Sequence, residues 1–534
     1  MNKMPEFIPG PPGTGKTHVW LKKKYTEFLK QYSWDRIVIL SHTNTAASEI
    51  IKAVKNLPGL ENIPDTKLED QICTIHSYFR GEYLPLQKYE KDEHKKFCDE
   101  NIAMKHWNKG SWDKHPLYAF DSHAHGKEMT YDQYWMICNS NSYYPYNKYH
   151  LKNLKEKYDK FRELHKKLSF QDMIDNFLKY AETPKDIDVL IVDEAQDCSK
   201  PQIKALQKAA TNAKEFIFIG DADQTIHEYA GSDPEFFYKL ASTSEAKANE
   251  LTEGLRCGET INSICKNIIA PVWKKWGVNA ERVWTPVKGV VGNSYWIPSI
   301  EQSCKASEIL INKILNTDET FLFTYRGNPT HKKINEFLQS NGIDYKLVSN
   351  DNPHVSRKDF KCFKTWSNFL NDKVFKKQIM EYWPLIGKSV KVHGKGSVDV
   401  LKPLINKEYN IQEFIDMGFI VPEAKQFKNF SEVVIKKDLI EKIPFIKKVL
   451  FNNMSVDKMP RVEHDTIHKV KGLTYDNIIV DLSIYRTETD RYEPIRLAYV
   501  AYSRGKTDCW SIGTSNPGMS LANIQNHRRE ILKL

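Results

Sequence analysis

The chain has 534 residues and a mass of 62.2 kDa, which is too large for one hydrophobic core, so three or four domains are expected. Hydrophobic residues make up 40% and charged residues 27% of the sequence, a composition that excludes a disordered or membrane-embedded chain, and residues 1–9 are too few for a signal peptide. The nine cysteines form no C-x-x-C pair, which favours reduced thiols in a cytoplasmic protein over a zinc or iron–sulfur site, and the net charge of +10 permits a polyanionic partner without requiring one.

The first motif is G-P-P-G-T-G-K-T at residues 10–17, directly after the apolar pair Phe7-Ile8. It matches G-x-x-x-x-G-K-[ST], in which glycines let the backbone N–H groups converge on phosphates. The lysine of such a loop reaches the β- and γ-phosphates, the hydroxyl binds Mg²⁺, and the following helix directs its N-terminus to the same anion. The residues predicted to bind the nucleotide are Gly10, Pro11, Pro12, Gly13, Thr14, Gly15, Lys16, Thr17 and His18.

Short apolar runs recur along the chain, and helical patterns follow them. In the first half they lie at residues 7–8, 37–40, 189–192 and 216–219, and in the second half at 321–323, 478–480 and 510–512. Such runs alternating with helices predict parallel sheets that are covered on both faces. The sequence therefore predicts two α/β lobes.

Two stretches interrupt this alternation. Residues 80–167 are rich in Lys, Tyr, His and Trp and include an amphipathic helical pattern at 153–167. Residues 351–458 contain 20 Lys and Arg against 13 Asp and Glu, interleaved with Phe360, Phe363, Trp366, Phe369, Phe375, Tyr382 and Trp383. This composition is that of a surface that binds a nucleic-acid strand. The alternative, which is favoured for any single residue, is a solvated helix face above core aromatics.

The second motif is D-E-A-Q-D at 193–197, directly after the apolar run at 189–192. A carboxylate at the end of a strand can hold Mg²⁺, as Asp193 would, and the adjacent Glu194 can orient and deprotonate the attacking water. An acidic pair on the surface is the alternative, but the phosphate loop upstream argues against it. Together the two motifs predict hydrolysis of a nucleoside triphosphate.

Further segments follow in a recognisable order. They are S-H-T-N-T-A-A at 41–47, T-I-H-S-Y at 74–78, L-S-F-Q-D-M at 168–173, G-D-A-D-Q-T-I-H-E-Y at 220–229, L-R at 255–256, T-I-H-K-V-K-G-L at 466–473 and R-L-A-Y-V-A-Y-S-R at 496–504. With the first two motifs, they resemble the motifs of the UvrD/Rep/PcrA class of superfamily-one helicases. The resemblance runs through nearly the whole chain.

The resemblance implies an α/β fold of two RecA-like P-loop lobes, each with an inserted subdomain. We expect lobe 1A at residues 1–79 and 168–249, insertion 1B at 80–167, lobe 2A at 250–350 and 459–534, and the basic insertion 2B at 351–458.

The same resemblance implies roles for single residues. Besides Lys16 and Glu194, the catalytic residues would be Gln224, which would sense the γ-phosphate, and Arg256 and Arg504, which would reach the transferred phosphoryl group from the second lobe. Taken alone, either arginine would more often be a surface ion-pair partner. The residues that would contact the nucleic acid are His42, Thr43, His76, His227, Tyr229, Thr466 and His468. For His42 and His227 the alternative is a tolerated substitution without a role.

The chain departs from the family at the positions that contact the base and the ribose. An arginine, a tyrosine and a glutamate of the family are replaced by His18, Leu255 and Thr474, and the segment upstream of the loop that reads adenine is expected to be missing. The phosphate contacts are all kept. We therefore expect weak discrimination between ATP and other nucleoside triphosphates.

The function implied by the resemblance is an ATP- and Mg²⁺-dependent helicase that moves 3′→5′ along single-stranded DNA, unwinds duplex junctions and acts as a monomer. The choice of DNA over RNA and the polarity follow from the resemblance alone. Two alternatives are a translocase that strips proteins from DNA with little unwinding, and a nucleic-acid-binding NTPase switch without movement. The composition suits a phage or viral protein that works with replication or repair proteins in the cytoplasm of a bacterial cell.

Overall fold

The computed structural model divides the chain into two compact units, Met1–Val291 with Tyr485–Ser503, and Gly292–Ile484 with Arg504–Leu534. It describes residues 3–83, 124–130, 132–133, 148–164, 170–181, 186–228, 231–277, 282–350, 352–387, 390–427, 433, 437–485 and 492–513.

Five parallel strands form the sheet of the first unit. They are β1 (Glu6–Pro9), β2 (Ile37–Ser41), β3 (Ile72–Thr74), β4 (Val189–Val192) and β5 (Glu215–Gly220), in the order β1-β5-β4-β2-β3. All residues of β2 and β4 are buried, as expected for strands covered on both faces. Because the strands are parallel, the chain leaves them at one shared edge of the sheet. The phosphate loop follows β1 there, the D-E-A-Q-D motif follows β4, and Asp221 follows β5.

Helices flank this sheet because their apolar residues recur at helical spacing. In α2, for example, Ala47, Ile50, Ile51 and Val54 form the buried face. The helices are α1 (Lys22–Phe28), α2 (Asn44–Val54), α3 (Asp65–Gln71), α4 (Ile75–Tyr83), α5 (Lys148–Leu164), α6 (Phe170–Tyr180), α7 (Lys200–Ala209), α8 (Pro234–Ala241), α9 (Ser244–Ala248), α10 (Glu259–Trp276) and, near the end of the chain, Glu493–Tyr502. Short turns at Lys16–Leu21, Trp34–Arg36, Ala195–Asp197 and Ala222–Gln224 complete the described part of the unit.

Six parallel strands form the sheet of the second unit. They are β6 (Ser294–Ile297), β7 (Phe321–Tyr325), β8 (Tyr345–Leu347), β11 (Val462–Thr466), β12 (Asn477–Asp481) and β13 (Cys509–Ile512), in the order β6-β13-β12-β7-β11-β8. The strands β9 (Val374–Phe375) and β10 (Glu408–Tyr409) form a separate antiparallel pair. The helices are α11 (Lys305–Asn316), α12 (Asn328–Ser340), α13 (Arg357–Asn371), α14 (Lys376–Tyr382), α15 (Ile411–Asp416), α16 (Lys437–Phe451) and α17 (Ile467–Val470); the helix Glu493–Tyr502 is α18. Short turns lie at Trp383–Leu385, Val398–Leu401, Pro422–Gln426 and Leu482–Tyr485.

The predicted fold class is confirmed: the chain is α/β, with two parallel sheets flanked by helices, as in two RecA-like lobes. Every predicted apolar run lies in a strand. The helix predicted at 153–167 is present as α5 up to Leu164, and the rest of that prediction lies outside the described residues, as does most of the stretch 80–167. The division into lobes and insertions stays a prediction. Among the described helices, none combines the length and the apolar character needed to cross a bilayer.

Most of the aromatic residues in the basic stretch 351–458 are buried, contrary to their interpretation as a surface that binds a nucleic-acid strand. Five of the seven have an exposed fraction of 0% and belong to the core of the second unit: Phe360, Trp366, Phe369, Tyr382 and Trp383. Their rings are not available for stacking on bases, so the alternative of core aromatics is confirmed for these five, and their interpretation as a strand-binding surface is wrong. In contrast, Phe375 is 52% exposed.

Candidate nucleotide and strand sites

The phosphate loop curls at two glycines with positive φ, Gly13 at +72° and Gly15 at +76°. These angles favour glycine because a side chain is strained there. The loop is tied to the sheet by the Gly10 N–H, which donates to the Gly220 carbonyl at 3.0 Å, and closed by the Thr14 hydroxyl, which donates to the Pro11 carbonyl at 2.8 Å. After the loop, the N–H groups of Val19 and Trp20 both donate to the Gly15 carbonyl, so the helix begins with a wide turn.

Lys16 is buried under this loop. Its Nζ donates to the carbonyls of Gly10 at 2.7 Å and Pro11 at 3.2 Å. Burial lowers the pKa of Lys16, while the nearby carboxylates of Glu194, Asp221 and Asp193 act in the opposite direction. The loop thus holds a buried cation, which is where a triphosphate needs one.

Thr17 and Asp193 form the part of the site suited to a metal ion. The Thr17 hydroxyl donates to Asp193 Oδ2 at 2.8 Å, and Asp193 is 2% exposed at the end of β4. Burial raises the pKa of Asp193 to about 6, and the Glu194 carboxylate beside it adds to the rise. A hydroxyl and a buried carboxylate are oxygen ligands that Mg²⁺ accepts, and a bound divalent cation would favour the ionised carboxylate.

Glu194 adopts an uncommon backbone conformation, with φ +52° and ψ +37°. A non-glycine residue in this region costs about 1–3 kcal/mol and is found mainly at functional sites. Its carboxylate accepts a hydrogen bond from Gln196 Nε2 at 2.6 Å, and Gln196 Oε1 accepts one from the N–H of Asp221 at 3.0 Å. Gln196 was not among the predicted site residues, although it lies inside the D-E-A-Q-D motif.

Gln224 lies in the turn Ala222–Gln224 after β5 and is 3% exposed. Its Nε2 donates to Asp221 Oδ2 at 3.0 Å. The two residues that would handle the attacking water, Glu194 and Gln224, are therefore both connected to Asp221. Sequence reasoning missed this connection as well, because it named Gln224 from the G-D-x-x-Q motif and gave the aspartate no role.

Arg256 lies against the loop in the first compact unit. A Cβ atom added to Gly13 would be 2.4 Å from Arg256 Cβ, and Arg256 Nη1 donates to the Ser503 carbonyl at 3.2 Å. Burial lowers the pKa of Arg256. The segment around it is bound to the loop by two backbone hydrogen bonds, from Leu251 N to Pro9 O and from Leu255 N to Gly13 O. These bonds hold the start of the segment 250–291 against the loop, and this segment belongs to the first compact unit. Its assignment to lobe 2A stays a prediction.

The substituted base-contact positions in the first unit lie beside Gly15. His18 is exposed, and Leu255 is 55% exposed. A Cβ added to Gly15 would lie 3.0 Å from Leu255 Cδ1. This exposed surface presents an aliphatic side chain and an imidazole where the family has an aromatic ring and a guanidinium. Thr474 is exposed in the second unit.

Three of the residues predicted to contact the nucleic acid line one cavity of about 330 Å³ in the first unit. Its lining comprises His42, Thr43, Asn44, Thr74, His76, Ser77 and Met173. His42 Nε2 is 3.3 Å from Cys198 Sγ, and Gln202 Nε2 donates to His76 Nε2 at 3.4 Å. Burial lowers the pKa of His76 to about 4, so this ring is neutral at pH 7. The cavity thus offers hydroxyl, amide and neutral imidazole groups.

The remaining predicted residues lie elsewhere. His227 is half-buried in the first unit, and its carbonyl accepts from the Ser232 hydroxyl. Tyr229 lies outside the described residues. Thr466 and His468 lie at the end of β11 and in α17 of the second unit, to which Arg504, only 2% exposed, also belongs.

Comparisons with known proteins agree with the resemblance. Residues 2–245 match the family described as the UvrD/REP helicase N-terminal domain. The chain is 24% identical over 62% of its length to YjcD of Bacillus subtilis (strain 168), which carries the name of an ATP-dependent DNA helicase, and 25% identical over 48% of its length to the ATP-dependent DNA helicase Rep of Buchnera aphidicola. It is 22% identical over 87% of its length to a DNA helicase II homolog of Mycoplasma capricolum.

The chain spans 45% of the length of YjcD, 40% of Rep and 67% of the Mycoplasma protein. The matched region 2–245 contains the phosphate loop, Asp193, Glu194 and Gln224. The resemblance inferred from the motifs is therefore confirmed: residues 2–245 match the UvrD/REP helicase N-terminal domain, and the chain is similar to proteins named as DNA helicases of this type.

Proposed function

We propose that this chain is an ATP-dependent helicase or translocase that moves along single-stranded DNA. The observation that carries the proposal is the set of side chains at one edge of the first sheet: Lys16 under the phosphate loop, Thr17 bonded to Asp193, and Glu194 and Gln224 connected through Asp221. This set contains a cation for phosphates, oxygen ligands for a metal, a base and a polar group for water.

Each residue has one task in the proposed hydrolysis. The loop N–H groups and Lys16 bind the phosphates, and Arg256 stabilises the negative charge that develops on the transferred phosphoryl group. Thr17 and Asp193 would hold Mg²⁺, which supplies charge neutralisation on the phosphate oxygens. Glu194 accepts the proton of the attacking water, and Gln224 orients that water. Arg504 is proposed as a second cation of the reaction, on the resemblance alone.

The cavity lined by His42, Thr43 and His76 is the proposed contact of the first unit with the strand. Hydroxyl and amide groups bind phosphate and sugar without reading sequence, so binding should be nearly indifferent to base composition. His227, Tyr229, Thr466 and His468 are proposed as further contacts. Exposed lysines and arginines should make the affinity fall as salt rises.

Movement in the 3′→5′ direction, unwinding of duplex junctions, action as a monomer and a cytoplasmic location are proposed from the resemblance. A forked duplex with a 3′ tail tests unwinding, and streptavidin on a biotinylated strand tests force generation. Unwinding of the 3′-tailed fork that needs ATP is the expected result. Displacement of streptavidin without strand separation would instead identify a protein-stripping translocase. The absence of both activities would identify an NTPase switch.

We predict weak discrimination between nucleoside triphosphates. His18 and Leu255 occupy the positions of the usual base contacts, and both are exposed. The values of kcat/KM for ATP, GTP and CTP should therefore agree within about tenfold, because a site that makes no specific contact with the base does not distinguish one base from another. Steady-state hydrolysis of each triphosphate measures this. A hundredfold preference for ATP would contradict the prediction and indicate an adenine contact elsewhere.

A further inference from the structure

A buried cluster of charges lies behind Gln224 in the first unit. Arg282, in the segment after α10, is 8% exposed, and its Nη1 donates to Asp221 Oδ1 at 2.6 Å and to Asp223 Oδ2 at 2.8 Å. Its Nε lies 3.2 Å from Glu250 Oε1. Both aspartates have an exposed fraction of 0%. One guanidinium therefore bridges two fully buried carboxylates.

The other partners of these carboxylates are all donors. Asp223 accepts from the Tyr238 hydroxyl and from Trp273 Nε1, each at 2.8 Å. Asp221 accepts from the Tyr499 hydroxyl at 3.3 Å and from Gln224 Nε2 at 3.0 Å. Donors on every side are the environment that an ionised carboxylate needs when it is removed from water.

Asp221 connects this cluster to both groups that would handle the attacking water. Its Oδ1 accepts from the N–H of Asp223 and so shapes the turn that carries Gln224. Its own N–H donates to Gln196 Oε1, and Gln196 Nε2 donates to Glu194. A shift of Asp221 would therefore move Gln224 directly and Glu194 through one intermediate residue.

The orientation of the Gln224 amide depends on its hydrogen bond to Asp221. An ionised carboxylate only accepts hydrogen bonds, so it selects the Nε2 side of the amide. If Asp221 moved away, this hydrogen bond would be lost, and the amide could turn over and present the wrong group to the water. Removing the cation would also favour protonation of Asp223, since burial and the proximity of Asp221 raise the pKa of Asp223 while Arg282 lowers it.

We propose that Arg282 is a positioning residue for hydrolysis, which holds Asp221 and Asp223 so that Asp221 orients Gln224 and, through Gln196, Glu194. Arg282 pairs with the side chains of Asp221, Asp223 and Glu250 and therefore acts through other residues. The inference rests on the proposed NTPase activity.

The test compares Arg282→Met, Arg282→Lys and a matched control. Arg36→Met is the control because Arg36 also bonds two aspartates, Asp186 and Asp188, in the same unit, but at the opposite ends of the strands from the loop. For each variant, kcat, the affinity for a fluorescent ATP analogue and the thermal unfolding midpoint are measured. We expect Arg282→Met to lower kcat by about ten- to a hundredfold, because misplacement of catalytic groups has effects of this size. Its nucleotide affinity should stay within about threefold of the wild type, because the loop is untouched.

The dependence of kcat on pH distinguishes a positioning role of Arg282 from a purely structural one, because a purely structural role would leave the profile unchanged. The groups that face Arg282 and its aspartates are Glu250, Tyr238, Tyr499, Trp273 and, through electrostatic interaction with the aspartates, Arg496 and Lys16. Since Asp223 must be ionised to hold Arg282 in place, kcat falls as the pH falls. Without the cation the pKa of Asp223 rises, so the acidic limb of the kcat profile should move to higher pH in Arg282→Met. Arg282→Lys keeps the positive charge, so the acidic limb of its kcat profile should lie at the same pH as in the wild type. Its kcat should be about three- to tenfold lower, because lysine lacks the planar fork of arginine.

Wild-type kcat and an unmoved acidic limb in Arg282→Met would overturn the inference. So would a loss of kcat of the same size in Arg36→Met. If Arg282→Met does not fold, Arg282→Lys decides, and a wild-type kcat there would equally overturn the role. A wild-type chain without NTPase activity would refute the proposed function, which separates that failure from the failure of this inference.

Discussion

Replacing Lys16 by alanine is expected to lower kcat for NTP hydrolysis by about 10²–10³-fold, the usual effect of removing one preorganised group that stabilises charge in a transition state. The cation is buried and held beneath the loop by the carbonyls of Gly10 and Pro11. Its loss would also remove a positive charge that interacts with the carboxylates of Asp193 and Glu194. Steady-state hydrolysis in the presence of Mg²⁺ measures the effect.

The matched control is Lys214→Ala. Lys214 pairs with Asp188 in the same unit, but just before β5 and therefore at the opposite end of the strands. It is exposed, so its removal should leave kcat within about twofold of the wild type, as is usual for surface ion pairs. If Lys16→Ala kept more than a tenth of the wild-type activity, the loop would not be the site of hydrolysis.

The second large effect is expected for Glu194→Gln. Loss of the proton acceptor should lower kcat by about 10²–10⁴-fold. Glutamine keeps the shape of the side chain, and its carbonyl oxygen can still accept from Gln196 Nε2. The affinity for nucleotide should therefore be preserved, and the variant should trap the nucleotide unhydrolysed. Single-turnover hydrolysis and fluorescent-nucleotide binding separate these two quantities.

The Glu194→Gln experiment has three distinguishable outcomes. A large loss of kcat with unchanged affinity supports the role of base. Equal losses in affinity and kcat would point instead to a structural effect at the strained backbone of residue 194, which has a φ of +52°. Hydrolysis at the wild-type rate would contradict the assignment of Glu194.

The sheets could be predicted where burial on both faces produced continuous apolar runs. β4, for example, has the sequence V-L-I-V and was predicted at the bounds that the structure shows. β11 was missed because its sequence is V-E-H-D-T. Its polar residues find partners inside the protein: His464 Nδ1 lies 3.2 Å from the Tyr325 hydroxyl, and Asp465 accepts from the Ser349 N–H. Such partners come from distant parts of the chain, so the hydrophobic pattern does not reveal them.

In the candidate nucleotide site, too, some residues could be predicted from the sequence and others could not. The loop and the carboxylates lie in contiguous motifs, and the structure brings Lys16, Thr17 and Asp193 together as expected. Arg282 lies about sixty residues from its aspartates, in a segment without helix or strand, and no motif marks it. Its role depends on a tertiary contact, which the sequence alone does not display.

The aromatic residues of the basic stretch show how composition misled. Phe360, Phe363, Trp366 and Phe369 are spaced three residues apart, and all four lie in α13. Residues at this spacing lie about 60° apart around a helix, so the four rings spread over half of its circumference, and all of them pack in or against the core of the second unit. This spacing is present in the sequence, but the high proportion of lysine favoured the interpretation as a nucleic-acid-binding surface.

The central claim is that hydrolysis at this site drives movement along a strand, and strand-stimulated hydrolysis tests it most directly. The rate of ATP hydrolysis is measured with poly-dT, with poly-U and without nucleic acid, for the wild type and for Lys16→Ala. The proposed function predicts a wild-type rate at least tenfold higher with poly-dT than without nucleic acid, which is lost in Lys16→Ala. A wild-type rate that is the same with and without nucleic acid would contradict it.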